Sequence, residues 1–130
     1  MIHSFVAHGK NTGTLKSLYF SDQLDSKQSS LGLFLTGKKY IGSKGESLKL
    51  YGLDPGFNKH AAVRTIVMHG APYVSDQYLI KHGKLGCSWG CPVVPLELAK
   101  PLIEIIKEGS VLFNYYPTRE YFKYLEFLKC

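Results

Sequence analysis

The stretch Gly86-Cys87-Ser88-Trp89-Gly90-Cys91-Pro92 holds two of the chain's three cysteines and its single tryptophan. Two glycines and a proline exclude a regular element, so it reads as a shaped loop. A cysteine acts as a nucleophile through its thiolate, which needs a partly exposed, electropositive setting. Backbone N–H groups at Gly90 and Cys91 would supply part of that field, and a glycine at 90 is expected to leave a substrate's approach unobstructed. A thiol nucleophile also needs a base within hydrogen-bond reach and a third group to orient that base. Of five histidines, His69 is the best placed. It follows the apolar run Thr65-Ile66-Val67-Met68 and precedes Gly70, so a strand would hold it while its ring faces a cleft. His82, before Gly83, is explained by a favourable charge at a helix C-terminus. His3, His8 and His60 have no comparable context. Taken alone, a Cys/His pair is weak evidence, since structural cysteines and histidines are more common.

Other chemistries fit less well. Cys87, Cys91, His82 and His69 make four possible zinc ligands, but Cys-x-x-x-Cys lies at the edge of the usual spacing and no second pair has zinc-finger spacing. No metal and no organic cofactor is expected. Neither Gly9–Gly13 nor Gly42–Gly45 completes a phosphate loop, and no paired-carboxylate signature is present. An odd number of cysteines argues against a disulfide framework. A Cys87–Cys91 bridge would silence the proposed nucleophile, and Cys130, at the terminus, reads as incidental.

The elements that must position these groups read mostly as short strands. Ile2–Ala7 is expected as a strand, ended by turn residues at 8–13. Residues 14–30, rich in Ser, Asp and Gln, read as a long surface loop, a kind that is often functional. Leu33–Thr36, reaching Tyr40, and the alternating Ser47–Tyr51 read as strands around a turn at Gly42–Glu46. A Pro-Gly turn at 53–58 leads to a helical turn over Asn58–Val63 and the buried strand Thr65–Met68, ending at His69. Ser75 caps a short helix through Lys81 that stops at Gly83. Pro95–Glu108 has helical spacing, with Leu98, Leu102, Ile105 and Ile106 on one stripe, a kink or break at Pro101 and a stop at Gly109. Val111–Tyr116 is a strand, and Thr118 caps a last helix with Tyr121, Leu125 and Leu128 on one face.

A chain of 130 residues is one domain, here 1–130. The apolar fraction of 45% suits a globular core, and 13 glycines favour strands and turns over a helix bundle. The net charge is +6, with nine Lys/Arg against four Asp/Glu in residues 1–65. That excess could attract an anionic polymer. No basic run exceeds two residues, so a solvated surface is the preferred reading and no nucleic-acid partner is expected. No apolar run is long enough to span a bilayer, and Met1-Ile2-His3-Ser4-Phe5-Val6 does not read as a signal peptide. The chain starts as if in mid-strand, so upstream sequence is expected to be missing. The oligomeric state is not legible.

Three stretches together resemble the L,D-transpeptidase catalytic-domain (YkuD-type) family of bacterial cell-wall enzymes, in its murein L,D-transpeptidase branch. They are Val6–Gly13 with Ser29-Ser30-Leu31-Gly32 beyond it, Ala62–Ala71, and Leu85–Pro92. The resemblance implies a β-rich α+β fold, a curved mixed sheet or sandwich with a few edge helices. It implies Cys91 as nucleophile, His69 as base, the Gly70 carbonyl as its orienter and Ser88 as loop support. Gly90 and Cys91, with Trp89 as a further donor, would form the oxyanion site, and Arg64 and nearby lysines would meet a substrate carboxylate. Pro92-Val93-Val94 follows the cysteine where many members carry Arg or Asn, and Cys87 stands where the branch commonly has a basic residue. The implied activity is cysteine-dependent acyl transfer on peptidoglycan stem peptides, outside the cytoplasm, through a carbapenem-sensitive thioester with loss of D-alanine. The alternatives are an L,D-carboxypeptidase, another Cys–His peptidoglycan hydrolase, or a non-catalytic basic module that binds cell wall.

Overall fold

A computed structural model of the chain describes residues 1–14 and 16–128. Cys130 lies outside them. The alternating apolar residues of the first half build a hairpin, β1 (Gly32–Gly42) and β2 (Gly45–Gly52), as expected from the two runs around the Gly42–Glu46 turn. β3 (Val67–Ala71) pairs antiparallel with β2, and β4 (Val93–Pro95) runs parallel to β3. β5 (Val111–Asn114) closes the other edge against β1. The five-stranded sheet is ordered β4-β3-β2-β1-β5 and is mixed; with three helices it makes a β-rich α+β fold.

One face of the sheet buries Phe34, Leu48, Leu50 and Met68 against Ala99 and Ile103 of helix α2 (Leu96–Ile106). Strand alternation sends Met68 and Gly70 to this face and Val67 and His69 to the other. A Cβ on Gly70 would lie 2.8 Å from Ala99 Cβ and 3.1 Å from Leu96 Cα, so glycine there lets α2 lie flat on β3. On the opposite face a smaller core of Ala7, Ala71, Val74 and Val93 receives Tyr73, Leu85 and Cys91.

Several expectations are revised. Residues 2–7 form no strand: Ala7 alone bridges to Val93, and Ile2, Phe5 and Val6 remain exposed, since β4 offers this segment only a short edge. The helical turn expected at Asn58–Val63 lies within a longer run of turns over 55–65, closed by bonds such as Arg64 N–H to His60 O. The strand expected at Thr65–Met68 begins two residues later. Thr65 has φ +56°, outside the extended region, and Ile66 N–H closes the turn onto Ala61 O. His69 is therefore inside β3 rather than at its end. Helix α2 runs through Pro101 without the break offered as one expectation; Pro101 and Glu97 are both exposed, on the side where the Glu97 carbonyl lacks an intrahelical donor. Ile105 is exposed, because it lies about 200° around the helix from the buried Ile103. The last strand stops at Asn114, short of Tyr116.

Two caps form as expected. Ser75 Oγ accepts from Tyr78 N–H at the start of α1 (Asp76–His82), which Gly83 ends in a left-handed conformation. Thr118 Oγ1 accepts from Tyr121 N–H at the start of α3 (Arg119–Phe127). Tyr121 anchors α3 by donating to the buried Asp54 (2.8 Å), whose carboxylate also accepts from Leu33 N–H (2.8 Å). Leu128 follows the helix and is exposed, so the expected apolar face does not reach it.

Candidate active site

The sheet register assembles the site. In the parallel β3–β4 pair, His69 is opposite Val93, two residues after Cys91. The cysteine loop thus enters the sheet beside the strand that carries the histidine. Cys91 Sγ accepts from Val67 N–H (3.5 Å) and its S–H donates to Thr65 O (3.7 Å). Cys91 and His69 both line a cavity of about 360 Å³ on the sheet face away from α2. Tyr40, Lys44, Tyr73 and Trp89 complete much of its wall.

His69 is 3% exposed, and its Nδ1 lies 3.0 Å from Gly70 O. A carbonyl oxygen only accepts, so Nδ1 carries a proton, and in the neutral ring Nε2 then holds the lone pair. The Gly70 carbonyl thereby fixes the tilt of the ring.

Ser88 shapes the loop. Its Oγ accepts from Gly90 N–H (3.1 Å) and donates to Cys91 O (2.6 Å). The expectation for Gly90 changes accordingly. Its N–H is engaged by Ser88 and is not free to meet an oxyanion. Among the described residues the N–H groups of Trp89 and Cys91 donate to no protein acceptor. The glycine is also not there to admit substrate. Its φ is +123°, and a Cβ would lie 2.7 Å from Gln28 O and 3.0 Å from an Arg64 guanidinium nitrogen, so the position faces protein.

Arg64 is likewise placed differently from its expected role. Its guanidinium donates to Ser21 O (2.9 Å), Ser26 Oγ (3.1 Å) and Gln28 O (2.6 Å), tying the long 14–30 loop to the turn before β3. Lys44, in the β1–β2 turn, is the one Lys or Arg lining the cavity among the described residues. No motif marked it; a lysine in a hairpin turn reads as surface, and only the folding of that hairpin over the cleft brings it into the lining. Tyr40, on β1, and Tyr73, in the turn after β3, also join the lining without any motif to mark them.

Burial pushes the Cys91 thiol above its ordinary range, outweighing the Val67 N–H and the positive charges of Arg64 and Lys44, which pull it down. The resting group is therefore the thiol. Cys87 is exposed and unbridged and lines the same cavity. His82 is stacked on Tyr78 (ring centroids 4.1 Å apart) at the end of α1. Among the described residues no three His, Cys, Asp or Glu side chains are grouped to hold a metal ion, so the four possible zinc ligands do not assemble. Nor is any helix among them long and apolar enough to cross a membrane.

A comparison with curated proteins finds no match. A family model described as the L,D-transpeptidase catalytic domain matches residues 1–115, which include every residue of the cleft and end before α3.

Proposed function

Because the chain belongs to the L,D-transpeptidase catalytic-domain family, we propose that it transfers acyl groups between peptidoglycan stem peptides outside the cytoplasm, with Cys91 as nucleophile and His69 as base. The observation that carries this reading is the shared cleft, in which an imidazole clamped at Nδ1 and a thiol line the same 360 Å³ space.

His69 Nε2 takes the proton from Cys91 Sγ. The thiolate attacks the carbonyl carbon of the amide that joins the L-configured centre of the third residue to the terminal D-alanine. The oxygen of the tetrahedral adduct becomes an oxyanion, and the Cys91 and Trp89 N–H groups are the unengaged donors available to it. His69 returns the proton to the departing nitrogen, the C–N bond breaks, D-alanine leaves and a thioester remains. The side-chain amine of a second stem peptide then attacks the thioester; its proton passes through His69 to the departing sulfur, restoring the thiol and leaving a cross-link. Water in place of the amine would make the protein an L,D-carboxypeptidase. Lys44 fits the carboxylate of the terminal D-residue, the role expected of Arg64.

The test is incubation of the purified protein with a disaccharide-tetrapeptide, followed by mass spectrometry. Loss of D-alanine and a Cys91 adduct are expected. Release that persists in Cys91→Ala overturns the assignment.

A further inference from the structure

A second cavity, of about 540 Å³, begins at Pro92, on the chain immediately after the cysteine. Phe20, Phe113, Tyr115 and Tyr116 line it together with Ser30 and Asn114. Neither Cys91 nor His69 belongs to it. The aromatic groups come from two places in the chain, Phe20 from the long loop and the other three from β5 and its continuation. Phe20 and Tyr116 are tilted against each other at 5.1 Å, as are Phe113 and Tyr115 at 5.5 Å. Phe113 and Tyr115 are 47% and 54% exposed, an unusual outlay of aromatic surface for a strand edge and the segment following it.

The polar groups of the cavity are incompletely paired. Ser30 is 1% exposed, and its Oγ has no hydrogen-bond partner. A buried hydroxyl without a partner is costly unless something else completes it. Asn114 Nδ2 donates to Ser30 O (3.1 Å), which leaves the amide oxygen as an acceptor. No acidic side chain among the described residues lines the cavity. Among the described residues Lys16 is the one Lys or Arg in the lining, and Ser30 Oγ lies beneath the surface, so the ring faces, the Asn114 amide oxygen and the Lys16 ammonium are what a ligand meets; they match one that is flat and apolar on its faces and rich in neutral hydrogen-bonding groups at its edge. That ligand chemistry is a pyranose ring, and the amide partner suits an N-acetyl substituent.

We propose that this cavity binds an N-acetylated sugar of the glycan strand, beside the cleft that holds the stem peptide. The sugar chemistry follows from the cavity itself; its identity as peptidoglycan glycan rests on the function proposed above. Such a site would hold a stem peptide near Cys91 through the strand to which it is attached, independently of the peptide's own contacts.

The test uses the full chain carrying Cys91→Ala, titrated with a β-1,4-linked N-acetylglucosamine tetramer that has no peptide and followed by NMR and calorimetry. Saturable shifts at Ser30, Asn114 and Tyr115 are expected. Tyr115→Ala should weaken binding about tenfold and Tyr115→Phe should retain it, both with an unchanged melting temperature. Asn114→Leu, a second variant, should weaken it as well. No saturable binding, or binding that is indifferent to Tyr115→Ala and Asn114→Leu, overturns the proposal. Sugar binding in a protein that releases no D-alanine would support the cavity while defeating the catalytic reading, so the two fail separately.

Discussion

His69 and Val93 are partners in the parallel β3–β4 register, and this pairing sets Cys91 alongside Val67, whose N–H donates to its sulfur. That thiol and imidazole line one cavity is thus a property of a hydrogen-bonded sheet and not of a loop resting on a surface. A parallel pair requires a crossover connection. Here α1 and the cysteine loop provide it, which accounts for the 22 positions that separate the two residues.

In the proposed mechanism His69 is the base, which His69→Ala removes. Release of D-alanine from a tetrapeptide should fall by about 10²–10⁴, measured as initial rate, with the melting temperature showing that the fold survives. An unchanged rate would mean that another group takes the thiol's proton.

The Cys91 thiol is held above its ordinary range by burial. Alkylation of Cys91 by iodoacetamide, resolved from Cys87 by peptide mass spectrometry, should rise with pH and have its midpoint above that of a free thiol. The linkage has a definite sign: the fold favours the protonated group, so its contribution to stability is full below the unfolded thiol's pKa and is lost as pH rises through the folded one. A midpoint below the free-thiol value would instead indicate a preformed thiolate–imidazolium pair.

Lys44 and Arg64 should separate cleanly. Lys44→Ala should raise KM for a substrate with a free terminal carboxylate by about tenfold and leave the free energy of unfolding within about 0.5 kcal/mol of the parent. Arg64→Ala removes the guanidinium that holds Ser21, Ser26 and Gln28. It should cost about 2 kcal/mol and open the 21–28 segment to limited proteolysis. A KM effect at Arg64 without loss of stability would restore its expected contact with substrate.

Gly90→Ala forces a side chain to adopt φ +123° and to meet Gln28 O. The backbone alone should cost about 1–3 kcal/mol, visible as a lowered urea midpoint. A neutral result would mean that the loop can relocate.

What the chain carries locally was readable without coordinates. The β1–β2 hairpin, the caps at Ser75 and Thr118 and the stop at Gly83 depend on alternation, side-chain oxygens and a left-handed glycine, all properties of neighbouring residues. Cys91 and His69 were legible as candidates because a thiol and an imidazole bring their chemistry with them, and the Gly70 clamp because it acts on the adjacent residue. Tertiary structure decided the rest, since those roles turn on partners remote in sequence. Arg64 is a loop tether because the 14–30 segment folds onto it; Gly90 is a point of close approach because Gln28 O arrives there; Lys44 enters the cleft only with its hairpin. Ile2–Ala7 had the residues of a strand but found no edge long enough to pair with. Residue type supplied the reactive groups, and strand register and long-range contacts determined which of them meet.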